Sequence, residues 1–416
     1  MTGVRAEFLR STDLAQRAAQ VVPNGVFGHQ RSFVFAGGVS RPIPADYPHF
    51  VSRAEGCRFW DVDGNEFIDY LCGYGPMIVG YRNERVDRAA EAERAEGTCY
   101  NFPSVRYVEL AERLVALEPV ARWASFALNG TDALMLGLVV ARAATGRSAL
   151  VVADGAFHGN QPWAREGPGW SPGDRSQTRT VPWGDADALG ELLASEPIAA
   201  VVLCPYEQLV GADNRMPPPG YWDAVRHHCT AHGCLLMIDD IRSGFRLDAA
   251  GSCAHFGIQP DLICLSKAMA NGYPVAALVG TEEVRPAAEE VFVSGTFWGF
   301  GPALAAALAT LDLLGEPGTR ERLNALGRRL TDGLSALAQV HDLQLVVTGP
   351  AALPHVRFDG DVDYELAARF ATLMAVQGSF VHPTHNWFLS LAHQPDDIDR
   401  TLEHAEVALA GVTRHR

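Results

Sequence analysis

The feature that most constrains the fold is a series of five short, uniformly apolar runs between residues 120 and 280. The runs are ALVVAD (149–154), AAVVLCP (199–205), CLLMID (234–239), DLICLS (261–266) and AALVG (276–280). Strands that are buried on both faces have this continuous apolar character. Stretches with helical periodicity lie between several runs, for example at residues 186–196 and 221–233. The pattern predicts an α/β fold with a mostly parallel, doubly wound sheet.

The two ends of the chain predict a second, smaller domain. The first twenty residues have the pattern of an amphipathic helix, and residues 57–71 predict two short strands around a turn. After about residue 313 the pattern becomes helix, strand, helix, strand, helix, which is typical of an α+β domain. We therefore expect an N-terminal segment (1–55) that joins the small domain, a large domain (56–313), and a C-terminal small domain (314–416).

Charge and hydropathy exclude several classes of function. The formal net charge of the 416 residues is -15, whereas a nucleic-acid-binding protein needs a basic face to neutralise phosphates. No run of about 18 apolar residues is present, which argues against a membrane-spanning helix. The N-terminus lacks the apolar centre of an export signal. We expect a cytoplasmic protein with neither nucleic-acid nor membrane partners.

The cysteines and histidines predict neither disulfides nor a metal site. The eight cysteines are scattered and form no CxxC pair, which indicates free thiols in a reducing compartment. No HExxH motif occurs, and the helix-like stretch with His227, His228 and His232 has no carboxylate at zinc-ligand spacing.

Lys267 is the only lysine in the chain, since the 34 lysines and arginines comprise 33 arginines and this one residue. Arginine can replace lysine wherever only a positive charge is needed. It cannot replace an amine nucleophile, because guanidinium stays protonated and forms no Schiff base. A single lysine at the end of an apolar run therefore indicates a nucleophilic role.

Four chemically distinctive segments follow predicted strands, where open α/β sheets bind their ligands. NGTDA (129–133) opens a helix, whose N-terminus can hold an anion, and GAFHG (155–159) offers an aromatic face and an imidazole. Asp239-Asp240 and Lys267 follow two other runs. Pyridoxal 5'-phosphate (PLP) requires this set: a phosphate cradle, an aromatic plate, a carboxylate for the pyridine nitrogen, and an amine. The sequence therefore predicts PLP as the cofactor.

The order of these motifs resembles that of the class III aminotransferases of PLP fold type I, and especially their glutamate-1-semialdehyde 2,1-aminomutase branch. The resemblance covers nearly the whole chain. Further matching stretches are VPNGVFGHQRSF (22–33), FWDVDGNEFIDYL (59–71), GPMIVG (75–80), LLMIDDIRSGFR (235–246), PDLICLSKAMANGYPVAALVG (260–280) and GTFWG (295–299). It implies a homodimer with shared active sites that acts on a small-molecule amine donor and carbonyl acceptor.

The resemblance also implies roles for individual residues. Lys267 matches the lysine that forms the Schiff base and later moves a proton, and Asp239 matches the carboxylate beside the pyridine nitrogen. The other cofactor-binding positions are Gly130 and Thr131 at the phosphate, Phe157 and Ile241 on the two ring faces, His158 after Phe157, and Thr296 at the phosphate of the neighbouring subunit. Arg31 matches the arginine that the aminomutase branch uses for the substrate carboxylate.

The sequence departs from the family pattern near the expected substrate. The usual Ser-Gly-Thr-Glu-Ala is Asn-Gly-Thr-Asp-Ala, and the usual Glu-Pro after the middle strand is Cys204-Pro205, which removes a carboxylate. Bulky Phe297 and Trp298 follow Thr296, and Tyr74 stands near the pocket mouth where the aminomutase has Trp. We expect Tyr74 and Trp298 to contact the substrate. These changes favour a flat or apolar acceptor.

The predicted reaction is transfer of an amino group from an amino-acid donor to an aldehyde or ketone acceptor through a Schiff base on Lys267. The alternative is an intramolecular aminomutase of the glutamate-1-semialdehyde type, in which Arg31 would also hold a carboxylate. A third reading, a PLP-fold protein that acts by binding alone, is disfavoured because Lys267 and Asp239 are both present.

Overall fold

The computed structural model describes residues 8–23, 25, 32–34, 40–44, 47–209 and 212–413. The strands are β1 (Ser32–Val34), β2 (Ser40–Pro42), β3 (Val51–Glu55), β4 (Arg58–Asp61), β5 (Glu66–Asp69), β6 (Trp123–Ala127), β7 (Ala149–Ala153), β8 (Thr178–Val181), β9 (Ile198–Leu203), β10 (Leu235–Asp239), β11 (Leu262–Leu265), β12 (Ala276–Gly280), β13 (Leu345–Thr348), β14 (His355–Phe358) and β15 (Ser379–Phe380). The α-helices are α1 (Leu9–Val21), α2 (Glu84–Glu96), α3 (Val105–Leu117), α4 (Gly130–Thr145), α5 (Ala186–Ser195), α6 (Tyr221–His232), α7 (Gly251–Phe256), α8 (Arg285–Glu290), α9 (Gly301–Leu314), α10 (Thr319–Val340), α11 (Glu365–Gln377) and α12 (Pro395–Thr413).

The larger of two compact units contains residues 84–209 and 215–317. Its seven-stranded sheet has the order β6-β12-β11-β10-β9-β7-β8. Neighbouring strands are parallel except where β12 pairs with β11 and β6. All five apolar runs are strands of this sheet, so the predicted mostly parallel α/β fold is confirmed. Strand β8 was not predicted, because it lies at the sheet edge and only Val181 in it is buried.

The apolar runs are continuous because both faces of the central strands are covered. Strands β9 and β12 are buried along their whole length. Helix α4 crosses one face, where its Leu134 and Leu138 share a core with Met237 and Leu278 of the sheet. Gly137 permits this close approach, since a Cβ atom there would lie 2.4 Å from Sδ of Met237. This packing fixes the positions of the strand ends.

The smaller unit comprises residues 1–83, 210–214 and 318–416. In its described part, a four-stranded sheet has the order β15-β5-β4-β3. Strands β3, β4 and β5 are antiparallel, and β15 is parallel to β5. Strands β4 and β5 are the two that residues 57–71 predict. Strands β1 and β2, and β13 and β14, form two further antiparallel pairs.

The structure differs from the predicted organisation in two respects. Strands β4 and β5, expected in the large domain, belong to the smaller unit because Ile68 of β5 pairs with Ser379 of β15. Such a distant pairing leaves no local signal in the sequence. In addition, α10 is followed by two strands where one was predicted, because the segment around Gly349 and Pro350 returns the chain as an antiparallel pair.

Among the described helices, none combines the length and the apolar composition that are needed to span a bilayer.

Candidate active site

A cavity of about 220 Å³ lies in the larger unit at the carboxyl end of its central sheet. It is lined by Asn129, Gly130, Thr131, Leu134, Phe157, Gly159, Cys204, Gln208, Asp239, Ile241, Arg242 and Lys267. These residues follow strands whose carboxyl ends meet at one edge, the usual ligand position in open α/β sheets. The lining includes six of the predicted cofactor-binding residues: Gly130, Thr131, Phe157, Asp239, Ile241 and Lys267.

Asp239 is held in one orientation at the end of β10. Its Oδ2 atom accepts a hydrogen bond from Nδ1 of His158 at 2.8 Å, and its Oδ1 atom accepts one from the backbone N–H of Ile241 at 3.2 Å. Asp239 and His158 are both buried. His158 therefore does not line the cavity but fixes the carboxylate that does.

The adjacent Asp240 has a different environment. Its carboxylate accepts hydrogen bonds from the backbone N–H of Ser252 at 2.7 Å and from the hydroxyl of Ser243 at 2.8 Å. Burial raises its pKa to about 6. Asp240 does not line the cavity, so Asp239 is the carboxylate available to a ligand there.

Lys267 follows β11, the strand beside β10, and begins a short 3₁₀ turn, Lys267–Ala270. Its backbone has a left-handed conformation with φ of 45°, which is strained for a residue with a side chain and is commonest at functional sites. Burial lowers the pKa of its amine to about 7, the nearby cation Arg242 lowers it further, and Asp239 opposes both. At neutral pH a large fraction of this amine is uncharged and nucleophilic.

The N-terminus of α4 forms one wall of the cavity. The side chain of Asn129 accepts a hydrogen bond from the backbone N–H of Asp132 at 3.1 Å and so caps the helix. A Cβ atom at Gly130 would lie 2.5 Å from Cδ1 of Ile241, and one at Gly159 would lie 2.5 Å from Oγ1 of Thr131. A side chain at position 130 would therefore require Ile241 to move, and one at position 159 would also be strained by the φ of 82°.

Two apolar side chains line the cavity besides these polar groups. Phe157 is 41% exposed, and the guanidinium of Arg165 lies 5.4 Å from its ring centroid. Ile241 is partly buried and packs against the hydrophobic core of the unit. They offer the apolar contacts that a flat aromatic ligand needs.

Cys204 lines the cavity at the end of β9. Burial raises the pKa of its thiol well above the ordinary value, and the neighbouring charge of Asp239 adds to the effect. The thiol therefore stays protonated, and this wall carries no negative charge where the family usually has a glutamate.

Sequence reasoning missed Gln208 and Arg242 as lining residues. The Nη1 atom of Arg242 donates to the backbone carbonyl of Gln208 at 3.2 Å, and the amide of Gln208 donates to the hydroxyl of Ser243 at 3.2 Å. The only available signal was the position of Arg242 next to Ile241, because the loop that carries Gln208 has no apolar or glycine-rich pattern.

Two other predicted residues, Thr296 and Trp298, do not line the cavity of their own chain. Thr296 is exposed, and its carbonyl accepts a hydrogen bond from Sγ of Cys99 at 3.5 Å. The ring of Trp298 packs against the core. Burial raises the pKa of Asp132, and a hydrogen bond from the Trp298 side chain partly opposes this. The predicted substrate contact of Trp298 stays a prediction.

The remaining predicted substrate residues are in the smaller unit or are not described. Tyr74 lies in a segment, 72–75, whose four residues all have positive φ, between 49° and 102°. Its ring centroid is 5.2 Å from that of His385 and 6.2 Å from that of His382. Arg31 lies outside the described residues.

One group of possible metal ligands occurs in the part of the chain that the structure describes. It comprises His158, Cys204 and Asp239, whose ligand atoms lie within 4.8 Å of one another. Two of them are already joined by the His158–Asp239 hydrogen bond, and the thiol of Cys204 stays protonated, whereas metal-bound cysteine is a thiolate. The prediction of no metal site remains a prediction.

The residues around the cavity fit PLP. The N-terminus of α4 presents backbone N–H groups to a phosphate, and Phe157 and Ile241 offer apolar contacts to a ring. Asp239 can accept a hydrogen bond from a protonated pyridine nitrogen, and Lys267 supplies a neutral amine to an aldehyde. All these groups surround one cavity.

Comparison with known proteins gives the family. The sequence profile of class III aminotransferases matches residues 42–164 and 184–403. The chain belongs to the class III aminotransferases. Aminopentol aminotransferase of Sphingopyxis macrogoltabida is 39% identical over 408 residues, which cover 97% of this chain and 95% of that protein. Glutamate-1-semialdehyde 2,1-aminomutase of Methanothrix thermoacetophila is 34% identical over 430 residues, which cover 96% of each.

The fold of this class III aminotransferase is also found among solved structures. The PLP internal aldimine form of the FumI protein of Sphingopyxis sp. MTA144 superposes with a TM-score of 0.93 at 39% identity, and the match covers 97% of both chains. The predicted fold and cofactor are confirmed. The protein is a PLP-dependent aminotransferase, and its substrates are small-molecule amines and carbonyl compounds.

Proposed function

We propose that this aminotransferase moves an amino group from an amino-acid donor to an aldehyde or ketone that is a separate molecule, with Lys267 forming the Schiff base to the cofactor. One observation carries the proposal: the only lysine of the chain and the His158-bound Asp239 line one cavity, at the ends of adjacent strands. The low pKa of the Lys267 amine, about 7, supports a nucleophilic role.

The roles of the other cavity residues follow from their chemistry. Bound PLP supplies an aldehyde that captures amines and a ring that accepts electrons from bonds next to the captured nitrogen. The backbone at Gly130 and Thr131 would hold the phosphate, and Asp239 would accept a hydrogen bond from the ring N–H. Once the donor amine is bound, the freed amine of Lys267 would take the proton from the carbon that carries the donor nitrogen and deliver it to the aldehyde carbon of the cofactor, and it would move a proton in the opposite direction in the second half of the reaction.

Transfer to a separate acceptor is favoured over internal transfer by the chemistry of the wall at Cys204. An aminomutase must retain a small, polar diamino compound until the second transfer is complete, which favours polar or charged contacts. The Cys204 thiol is uncharged, so this wall suits a less polar acceptor. The higher identity to a protein named aminotransferase (39%) than to one named aminomutase (34%) supports the same choice.

We also propose a homodimer in which Thr296 acts in the partner's site. In its own chain Thr296 is exposed and absent from the cavity lining. The surface beside it is apolar, since Phe102, Phe292 and Phe297 are 83%, 93% and 58% exposed. Phe102 lies in one loop, and Phe292 and Phe297 lie in another. The two loops are adjacent, because the backbone N–H of Gly301 donates to the carbonyl of Thr98 at 3.2 Å. A second copy of the chain would cover these rings.

A reducing compartment, the cytoplasm, is the proposed location. All eight cysteines are free thiols, and only Cys99 among them is exposed. Buried thiols in this number are typical of proteins that are kept in a reducing environment.

The test of the function follows nitrogen and uses two variants. Wild-type enzyme with ¹⁵N-alanine and an aldehyde should give labelled product amine and an equal amount of pyruvate by mass spectrometry. Lys267→Ala should reduce turnover by more than about a thousandfold and leave no borohydride-stable cofactor adduct. Isomerisation of glutamate-1-semialdehyde without a donor or acceptor would identify an aminomutase. An adduct on the α-amino group with retained turnover would overturn the role of Lys267.

The shared site can be tested by complementation. Lys267→Ala lacks its own amine, and Thr296→Ala weakens the site of its partner. In a mixed dimer, one site combines an intact Lys267 with an intact Thr296, so an equal mixture of the two variants should gain about a quarter of wild-type activity above the residual activity of Thr296→Ala. No restoration, with mixed dimers confirmed by native mass spectrometry, would contradict the shared site.

A further inference from the structure

A second cavity of the larger unit has a volume of about 290 Å³, and we call it the His158 cavity. His158 lines this cavity but not the candidate active-site cavity, whereas Asp239 lines the active-site cavity but not this one. The hydrogen bond of 2.8 Å between the two side chains therefore connects the two cavities. A molecule bound in the His158 cavity can act on the carboxylate in the active site.

Part of the wall of the His158 cavity comes from residues 165–183, which the class III profile leaves unmatched. Arg165, Glu166 and Arg175 of this segment line the cavity. Arg175 forms an ion pair with Glu166 through its Nη1 atom, and the carboxylate of Asp154 lies in the same wall as Arg165. The two arginines and the two carboxylates balance in charge, so the wall does not require a charged ligand.

Three buried nitrogen atoms of the wall have no hydrogen-bond partner among the described residues. Two of them are Nε2 of His158 and Nε1 of Trp163, which are residues that are only 1% and 8% exposed. The third is Nε of Arg175, whose side chain is partly exposed. Buried polar atoms of proteins are nearly always hydrogen-bonded, either to protein or to ordered water. We therefore expect the His158 cavity to hold a molecule that bonds to these three atoms.

Trp163 is held in a fixed orientation. The hydroxyl of Thr178 donates to the backbone carbonyl of Trp163 at 2.9 Å, and the indole ring belongs to the hydrophobic core of the larger unit. The ring centroids of Trp163 and His158 are 6.3 Å apart, and the two ring planes are inclined by 25°. A single oxygen atom with two hydrogen bonds of about 2.9 Å can bridge rings at this separation.

The chemistry of the three nitrogen atoms specifies the molecule that they bind. An indole N–H and a guanidinium N–H can only donate, so Trp163 and Arg175 require an acceptor. In His158, Nδ1 donates to the carboxylate of Asp239, so Nε2 of the neutral ring carries a lone pair and requires a donor. A water molecule accepts two hydrogen bonds and also donates, and it meets all three requirements. A halide ion could not donate to Nε2, and a metal ion could not accept from an N–H group.

We propose that the His158 cavity binds an ordered water molecule through which Trp163 positions His158 for its hydrogen bond to Asp239. The water accepts from Nε1–H of Trp163 and donates to Nε2 of His158, with Nε–H of Arg175 as a second donor to its oxygen. Because Nε2 then accepts, the ring proton is held on Nδ1 and is donated to Asp239. Trp163 is thus a positioning residue that does not line the active-site cavity. This inference rests on the proposed function, because it assumes that Asp239 contacts the cofactor ring.

The first experiment is a high-resolution crystal structure of the PLP-bound enzyme, grown in a buffer that contains bromide. We expect one oxygen atom within about 3.2 Å of both Nε2 of His158 and Nε1 of Trp163. The absence of an ordered atom at this point, or an anomalous signal from bromide there, would overturn the proposal.

The second experiment uses Trp163→Phe, which keeps an aromatic ring and removes only the N–H donor and part of the ring. Equilibrium dialysis gives the Kd for PLP, and ¹⁵N NMR of enzyme loaded with ring-labelled PLP gives the resonance of the pyridine nitrogen. We expect the Kd to rise by about threefold to tenfold, as loss of one hydrogen bond does, and the resonance to shift. In a His158→Phe background the same substitution should change neither quantity, because the connection through the imidazole is already absent.

Two further variants separate positioning from damage to the fold. Trp183→Phe is the matched control, since Trp183 is 6% exposed, has an indole N–H without a partner among the described residues, and lines neither cavity. It should leave both the Kd and the resonance unchanged. Arg175→Met removes the second donor from a partly exposed position and should change both quantities in the same direction as Trp163→Phe. Thermal unfolding of each variant identifies any that is misfolded.

The outcomes distinguish this inference from the proposed function. An equal effect of Trp163→Phe with and without His158, or an equal effect of Trp183→Phe, would overturn the positioning role of Trp163. The half-reaction with L-alanine, followed by the absorbance of the cofactor, tests the proposed function without these variants. If wild type fails that half-reaction although the bridging water is found, the proposed donor is wrong and this inference stands. If Asp239→Asn leaves the resonance of the ring nitrogen unchanged, the assumed contact of Asp239 with the ring is wrong.

Discussion

The imidazole of His158 and the carboxylate of Asp239 are joined by a hydrogen bond of 2.8 Å between Nδ1 and Oδ2, and both side chains are buried. Asp239 also faces the cavity. The bond joins a residue that does not line the cavity to one that is proposed to contact the cofactor ring. Its effect on the site can be measured separately from that of Asp239.

His158→Phe should therefore weaken cofactor binding although His158 does not line the cavity. Loss of a hydrogen bond to a buried carboxylate costs about 1–3 kcal/mol, so we expect the Kd for PLP to rise by roughly tenfold to a hundredfold. His158→Asn keeps an N–H near the position of Nδ1 and should recover part of the affinity. Titration of apoprotein with PLP by fluorescence measures both. Equal losses in the two variants would indicate a packing role only.

Asp239→Asn should abolish most of the activity, because an amide cannot stabilise a protonated pyridine nitrogen by charge. We expect kcat to fall by at least about a hundredfold while the fold is retained. Asp240→Asn is the matched control, since the neighbouring carboxylate binds Ser243 and Ser252 and does not line the cavity. Steady-state kinetics of both variants decides the assignment. A larger loss in Asp240→Asn would reverse it.

Gly130→Ala should lower the affinity for PLP through its added methyl group. The new Cβ atom would lie 2.5 Å from Cδ1 of Ile241, so either the N-terminus of α4 or the isoleucine must move. Gly173→Ala is the control, because the nearest atom to its Cβ lies 3.6 Å away on an exposed serine side chain. Equilibrium dialysis with PLP should give a Kd increase of about tenfold or more for the first variant only. Wild-type affinity in Gly130→Ala would show that the phosphate wall tolerates a side chain.

The reaction of apoprotein with PLP should depend on pH with a midpoint near 7. The pKa of Lys267 is lowered to about 7, mainly by burial, so the amine loses its nucleophilic form as the pH falls below that value. Between pH 7 and about 10 the unfolded chain binds more protons at this lysine than the folded chain does, so the contribution of Lys267 to stability rises with pH across this window. Stopped-flow absorbance at several pH values gives the midpoint. A rate that keeps rising up to pH 10 would mean an ordinary lysine.

Glu118→Gln should stabilise the protein, and more at pH 8 than at pH 5. Burial raises the pKa of Glu118 to about 9, with a further contribution from Asp240, and neither carboxyl oxygen has a hydrogen-bond partner among the described residues. The folded chain must therefore keep a proton that the unfolded chain releases above about pH 4.5, and this lowers stability increasingly as the pH rises toward 9. Glutamine removes that proton requirement.

The measurement for Glu118→Gln is the melting temperature at both pH values, with Glu112→Gln as the control. Glu112 is an exposed residue of α3, the helix that ends just before Glu118. We expect a rise of several degrees at pH 8 for the buried position and almost none for the exposed one. A pH-independent effect of Glu118→Gln would mean that the carboxyl group is charged in the folded protein.

The sequence was sufficient to predict the sheet of the larger unit and most of the cavity, and the reason is physical. Strands buried on both faces have continuous apolar runs, and a parallel sheet brings their carboxyl ends together, so Asp239 and Lys267 could be placed at one edge without coordinates. Arg242 and Gln208 could not be found in this way, because their side of the cavity is formed by a loop without a pattern. The packing of Trp298 against the core likewise depends on contacts that are distant in the sequence.

The cavity encloses the only lysine amine of the protein. Reagents that couple to amines will therefore find no lysine on the outer surface, and the α-amino group is the other primary amine of the chain. Attachment to an activated support should fix the enzyme by one end and leave the catalytic centre untouched. Isotopic labelling of the lysine amine would likewise place a single reporter nucleus in this enzyme, at the atom that is proposed to form the Schiff base.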